Sequence, residues 1–219
     1  MAFFNVEKTQ EAVKDSGGSY ILQSGMYPVK INFAAVNVNT HGARSIDFNV
    51  DYKGTSNTLY GLKLDDNQGN EHFQRALFNK LCVIAGFDTI YDPVKQTHVV
   101  GKDQVEKEFD VLDQFSGVEV IVRVRAVYSV YNDEIKQKFE IANFFRIEDK
   151  ATASEIISGA NYGKQYEKEE AKASESTYQN NLTEDEVKAW LEARRKGTPA
   201  DKVKVKETAP AVKNPFADQ

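Results

Sequence analysis

Cysteine is nearly absent from this 219-residue chain, where Cys82 stands alone. A single thiol excludes an intrachain disulfide and a cysteine-built zinc site, and it fits a reducing, intracellular setting. Histidine is scarce too. His41, His72 and His98 fall in a turn, at the start of a helical pattern and in a connection, with no spacing suited to a shared metal. No run of about eighteen apolar residues occurs, and MAFFNVEKTQEAVKDSG lacks a basic region followed by an apolar one, so a soluble, unexported, cytoplasmic protein is expected. Nor is there an excess of positive charge. With 28 Lys and Arg against 33 Asp and Glu, the formal net charge is -5, so any nucleic-acid binding has to come from a local basic patch and aromatic stacking.

Catalytic signatures are missing as well: there is no glycine-rich phosphate loop, no Gly-x-Ser-x-Gly and no His-Glu-x-x-His. LDDNQGNEH brings Asp65, Asp66 and Glu71 together without the ligand alternation of a calcium loop, which reads as solvated turn carboxylates. Cys82, between Leu81 and Ile84, reads as a buried, inert thiol. The expectation is a non-enzyme without metal or cofactor.

What the chain does have is alternation. In GMYPVKINFAAVNVN, Tyr27, Val29, Ile31 and Phe33 alternate before the phase slips at Ala34-Ala35, as at a β-bulge. After the turn THGA, RSIDFNVDY puts Ile46, Phe48, Val50 and Tyr52 on one face of a second strand, and TLYGLKL supplies a third. The period then changes. Phe73, Ala76, Leu77, Leu81, Ile84 and Ala85 recur at helical spacing, with Gly86 placed to end the helix. Residues 87–116 read as a long connection with a short helix. GVEVIVRVRAVYSV and IKQKFEIANFFRI, joined by the turn NDE, make two further long strands. Three strands, a helix and two strands is the order of the OB-fold, a five-stranded Greek-key barrel.

Past Asp149 the composition shifts. The expected organisation is an N-terminal arm (1–20), an OB domain (21–149), a linker rich in Ala, Ser, Glu and Lys (150–182), a C-terminal helix (183–197) and a disordered tail (198–219). Thr183 and Glu186 form a capping box for that helix. Its narrow stripe of Val187, Trp190 and Leu191 suits a partner's groove better than a core.

The barrel surface is where binding would reside. Tyr52, Tyr60 and Tyr131 lie near strand ends or break the apolar phase, which makes them the candidates for stacking on bases. Arg44, Lys53, Arg123, Arg125, Lys136 and Lys138 are the accompanying cations, several of them beside the loops that rim an OB groove. Taken singly, Arg123 and Arg125 read equally well as a solvated strand face.

With its polar start, SGMYPVKINFAAV, the meander, the helix ending in AGF, the long hairpin and the low-complexity tail, the chain resembles bacteriophage single-stranded-DNA-binding proteins of the OB-fold type. The similarity covers residues 20–148. It implies coating of exposed single strands in DNA replication and recombination in a host cytoplasm, with a C-terminal tail that recruits replication or recombination proteins. Bacterial relatives end in an acidic tail closed by Pro-Phe. Pro215 and Phe216 are present here, but Lys202, Lys204, Lys206 and Lys213 replace the acidic character. The alternative expectation is an adaptor or virion component on the same barrel that binds its partner through the Trp190 helix. A homo-oligomer is compatible with either.

Overall fold

The computed structural model describes residues 19–101 and 103–196, so the arm before residue 19 and the tail with Pro215 and Phe216 lie outside the described residues. Two compact units divide the chain: one runs up to Arg125 and resumes over Phe139–Glu175, and the other takes Ala126–Lys138 and continues from Ser176. No described helix is long and apolar enough to cross a membrane.

The first unit is built on an antiparallel sheet. Strand β1 (Gly25–Val38) pairs with β2 (Arg44–Tyr52), which pairs with β3 (Thr55–Lys63). The other edge of β1 is shared. Residues 25–30 pair with β6 (Glu119–Tyr131), and Ala35 and Val36 pair with β5 (Val105–Val111). Strand β7 (Glu134–Arg146) pairs with β6, and no pairing joins β3 to β7 among the described residues.

The phase slip in β1 falls two residues earlier than the sequence predicts. Register passes from Ile31↔Val50 to Phe33↔Asn49, which makes Asn32 the extra residue of the bulge. Tyr27, Val29, Ile31 and Ala34 therefore enter the main core, whereas Phe33 and Ala35 face the opposite side and are buried there with Val111. Periodicity could not locate the slip, because both faces of this strand are covered and apolar residues occur on each.

Helix α1 (Arg75–Ala85) buries Phe78, Leu81, Cys82 and Ile84. Gly86 ends it as expected: its φ of 75° is the left-handed conformation, and Gly86 and Phe87 donate N–H groups to Val83 and Cys82. Phe73 lies before the helix and is exposed, against its expected place on the apolar face. Burial pushes the Cys82 thiol up to about 11, so it is protonated at neutral pH and a poor nucleophile.

Two regions depart from expectation. Residues 87–116 contain a hairpin, β4 (Val94–Val100) with β5, paired from Val94↔Val111 to Val100↔Val105, and only then a short 3-10 turn at Asp113–Phe115. Phe115 at that turn is fully buried and meets the rings of Phe48, Phe78 and Phe87. The supposed linker is also folded. Helix α2 (Ala153–Ser158) carries a complete Thr152–Glu155 capping box, and α3 (Lys164–Glu170) sets Tyr166 edge-on against Phe145 at 5.3 Å, with Ile121 in the same cluster. Beside them Arg123 is only 7% exposed and ion-paired with Glu169 at 2.9 Å.

In the second unit, Asn132 and Asp133 turn the β6/β7 hairpin with φ of 51° and 60°, the pair of positive angles of a type I′ turn. Strand β8 (Thr177–Tyr178) runs parallel to Val127 and Tyr128. Helix α4 (Glu184–Arg195) has the expected Thr183–Glu186 capping box. Its stripe is not free, which corrects the expected partner-binding surface. Val187 and Trp190 are 2% and 3% exposed, Leu191 is half-buried, and Trp190 lies edge-on to Tyr128 at 6.2 Å. A helix of about a dozen residues is marginal alone in water, so this docking is what stabilises it.

Two outcomes are expected. Glu169→Ala leaves Arg123 buried without its counter-charge and should lose about 3 to 5 kcal/mol of stability in denaturant titration, whereas a true linker would tolerate the change. Trp190 fluorescence should already be blue-shifted in the isolated protein and move red only on unfolding.

Candidate functional site

Of the nine predicted nucleic-acid-binding residues, Arg44, Tyr52, Lys53, Tyr60, Arg123 and Arg125 lie in the first unit, and Tyr131, Lys136 and Lys138 in the second. Arg44 is committed to Asp65, whose other oxygen accepts from Arg75 at 2.6 Å. Tyr52 is half-buried, with its ring edge-on to Tyr27 at 5.1 Å and Lys53 lying over it at 5.2 Å. Arg123 is removed from solvent: it donates to Glu169 and to the Lys172 carbonyl, and its Nε has no partner among the described residues. Arg123 is thus not the solvated surface cation that alternation predicts, because that face of β6 is covered. Arg125, on the same face, is half-buried. Tyr131, Lys136 and Lys138 lie on the hairpin of the second unit, where Tyr131 is exposed and Lys136 pairs with Glu134.

Of the nine, Tyr60 is the one set in a concave, mixed aromatic and polar surface. Opposite Asp47, β3 carries two residues, Tyr60 and Gly61, where register passes from Ile46↔Leu62 to Phe48↔Leu59. Gly61 takes a φ of 71°, which a side chain would resist. Its N–H donates to Asp47 Oδ1 at 2.6 Å, while Asn37 Nδ2 donates to Asp47 Oδ2 at 2.9 Å. This second bulge turns Tyr60 outward, and the residue is 71% exposed.

The groove beside it has a volume of about 360 Å³ and runs between the outer face of β1–β3 and the β4/β5 hairpin. Phe33, Asn49, Thr58, Tyr60, Lys107 and Phe109 line it, with Asp47 and Asp103 as its acids. Phe33 is held as a wall by His98, stacked on it at 4.0 Å and 13°, and by Phe109 at 5.2 Å. Asn49 is buried and accepts from Asn32 Nδ2 and Ser56 Oγ at 2.8 and 3.1 Å. One exposed ring, two aromatic walls and the fixed amide of Asn49 can accept a flat, partly polar ligand. None of the lining residues pairs a nucleophile with a base.

The sequence reading missed Phe33, Phe109 and Lys107, since their site exists only once β4 and β5 pair and fold over β1. The available signal was the pair VKQTHVV and VEKEFDV around GKDQ, two alternating segments about a turn. The acids of the 65–70 loop are held internally: Asp66 accepts N–H groups from Gln68 and Asn70 at 2.8 Å.

Arg44 anchors the start of β2, and its hydrogen bond is the main reason the Asp65 carboxyl titrates below its ordinary range, against burial that would raise it. Such a group contributes stability that is present above its unfolded pKa of about 3.9 and lost as pH falls through the lower folded value. Asp65→Asn should therefore flatten the acid limb of a stability-versus-pH curve below about pH 4 and cost about 1.5 to 3 kcal/mol near neutrality.

In comparisons with known proteins, no family model and no curated protein matches this chain.

Proposed function

We propose that this protein is a non-catalytic single-stranded DNA-binding protein of the OB type, which coats exposed strands in phage DNA replication and recombination. The observation that carries the reading is Tyr60, presented by a bulge at the mouth of a groove whose walls are the aromatic rings of Phe33 and Phe109. Bases offer flat faces to such rings whatever their sequence, and each stacked base is worth about 1 to 3 kcal/mol. The lateral order β3-β2-β1-β6-β7, with α1 following β3, supports an OB barrel left open between β3 and β7, and β4/β5 is then an insertion before its fourth strand. In OB proteins the face of strands two and three binds oligonucleotides, and Tyr60 lies on β3.

The adaptor reading has less support, because the stripe it relied on is packed into the second unit. The groove also carries Asp47 and Asp103 beside Lys107, so stacking rather than charge supplies the affinity there.

The test is a fluorescence-anisotropy titration of a labelled single-stranded oligonucleotide at two salt concentrations. Tyr60→Ala should weaken binding by about 1 to 3 kcal/mol with an unchanged melting curve. Wild-type affinity in that variant would remove the groove from the site, and no binding by the unaltered protein at low salt would sink the function itself.

A further inference from the structure

Away from the groove, α1, α2, β7 and α3 line a cleft of about 460 Å³, and α3 with Arg123 of β6 and Lys172 lines an adjoining one of about 470 Å³; the two share Gln165, Lys168 and Glu169. Lys80 and Lys164 complete the basic side of the first, and Lys172 and Arg123 that of the second. Three of these lysines are spaced by four residues. Lys164 and Lys168 lie on α3, and the chain continues past it in helical turns, with Ala171, Lys172 and Ala173 donating to Glu167, Glu169 and Glu170. At 1.5 Å per residue, the backbones of Lys164 and Lys168 are about 6 Å apart along α3, and Lys172 follows in the turn just past it.

A lysine row is most often a solvated face, and three observations set this one apart. First, the acids within the clefts are already used. Glu155 accepts from Thr152 N, Thr152 Oγ1 and Gln165 N, and Glu169 accepts from Arg123, Asn143 and Gln165. Second, none of Lys80, Lys164, Lys168 and Lys172 has an ion pair among the described residues. Third, Arg123, more than nine-tenths buried, lines the second cleft and keeps an Nε–H with no acceptor among the described residues. Cations that stay unpaired beside saturated carboxylates, in a protein of net charge -5, concentrate an anionic ligand locally.

We infer that Lys164, Lys168 and Lys172, with Lys80 opposite, form a track for consecutive phosphates of a single-stranded nucleic-acid backbone. The inference rests on the single-strand-binding reading above and gives it the electrostatic component that the Tyr60 groove lacks. A row of cations along two adjoining clefts suits a polymer of phosphodiesters, whereas one free phosphate would need convergent donors. The two surfaces then divide the labour: stacking at Tyr60, charge neutralisation along α3.

The experiment measures oligonucleotide affinity across a salt series for the full-length protein, the triple variant Lys164→Gln/Lys168→Gln/Lys172→Gln, and Tyr60→Ala. Removing one lysine that neutralises a phosphate should reduce the slope of log K against log[salt] by about 0.7, so the triple variant should drop by about 2 in slope if all three bind. Tyr60→Ala should weaken binding and keep the slope. A triple variant that keeps the wild-type slope overturns the track and leaves single-strand binding standing. Failure of the unaltered protein to bind at any salt overturns both. Circular dichroism of the triple variant, expected to match the wild type because all three side chains are exposed, separates a missing charge from a damaged fold.

Discussion

Strand β1 is hydrogen-bonded along both edges, and almost every other element of the first unit is placed by that fact. Its first half holds β6, its second half holds β5, and β2 lines the opposite edge from Lys30 to Val38. A regular strand of 14 residues would present one apolar face to one core. The extra residue at Asn32 exchanges the faces, so that Tyr27, Val29 and Ile31 pack inward in one half while Phe33 and Ala35 are buried on the reverse side. That reversal obliges something to cover the outer surface, and the β4/β5 hairpin does so. The groove at Tyr60 is the space left between the cover and the sheet.

A different force fixes residues 150–175. Their apolar contribution is small, chiefly Ala151, Ala153, Ile156 and Tyr166. The Arg123–Glu169 pair adds direction more than net energy, since taking two charges from water offsets much of their attraction. Burial alone would raise the Glu169 carboxyl, yet hydrogen bonds from Gln165, Arg123 and Asn143 hold it below its ordinary range. Register is what such a pair can specify: α3 has a defined place over β6 because only one arrangement gives Arg123 a counter-charge.

Much of the fold was legible as pattern. The alternation of β1 to β3, the helical spacing closed by Gly86, the long β6 and β7, and the Thr183–Glu186 box all appear in the structure, because each is written in neighbouring residues. Tertiary cover was not. In β4 and β5 nearly every side chain is exposed or half-exposed, so their alternation marks no core face; they are joined by their own ladder, with the diagonal pair Lys95–Glu108 at 2.6 Å across it and the Phe33 ring of β1 against His98 and Phe109. KQYEKEEAK reads as a solvated charge run for the same reason. Of the candidate site, Tyr60 was legible as an aromatic out of phase, while Arg123 looked like a surface cation because nothing local indicates that Glu169, 46 residues away, will reach it.

The hairpin over the sheet is attached unevenly. At its base β5 meets β1 through only two paired positions, Ala35↔Val111 and Val36↔Asp110, while its far end carries the Val100–Val105 turn. Mechanically this is a cantilever: a stiff two-stranded arm, self-paired along seven rungs, clamped at one end and resting on the Phe33 ring. An arm of that kind yields by tilting about its clamp before any of its own rungs break. The width of the gap beside Tyr60 is therefore set by the angle of the arm at its clamp, while the floor contributed by β1 to β3 is set by its own pairing.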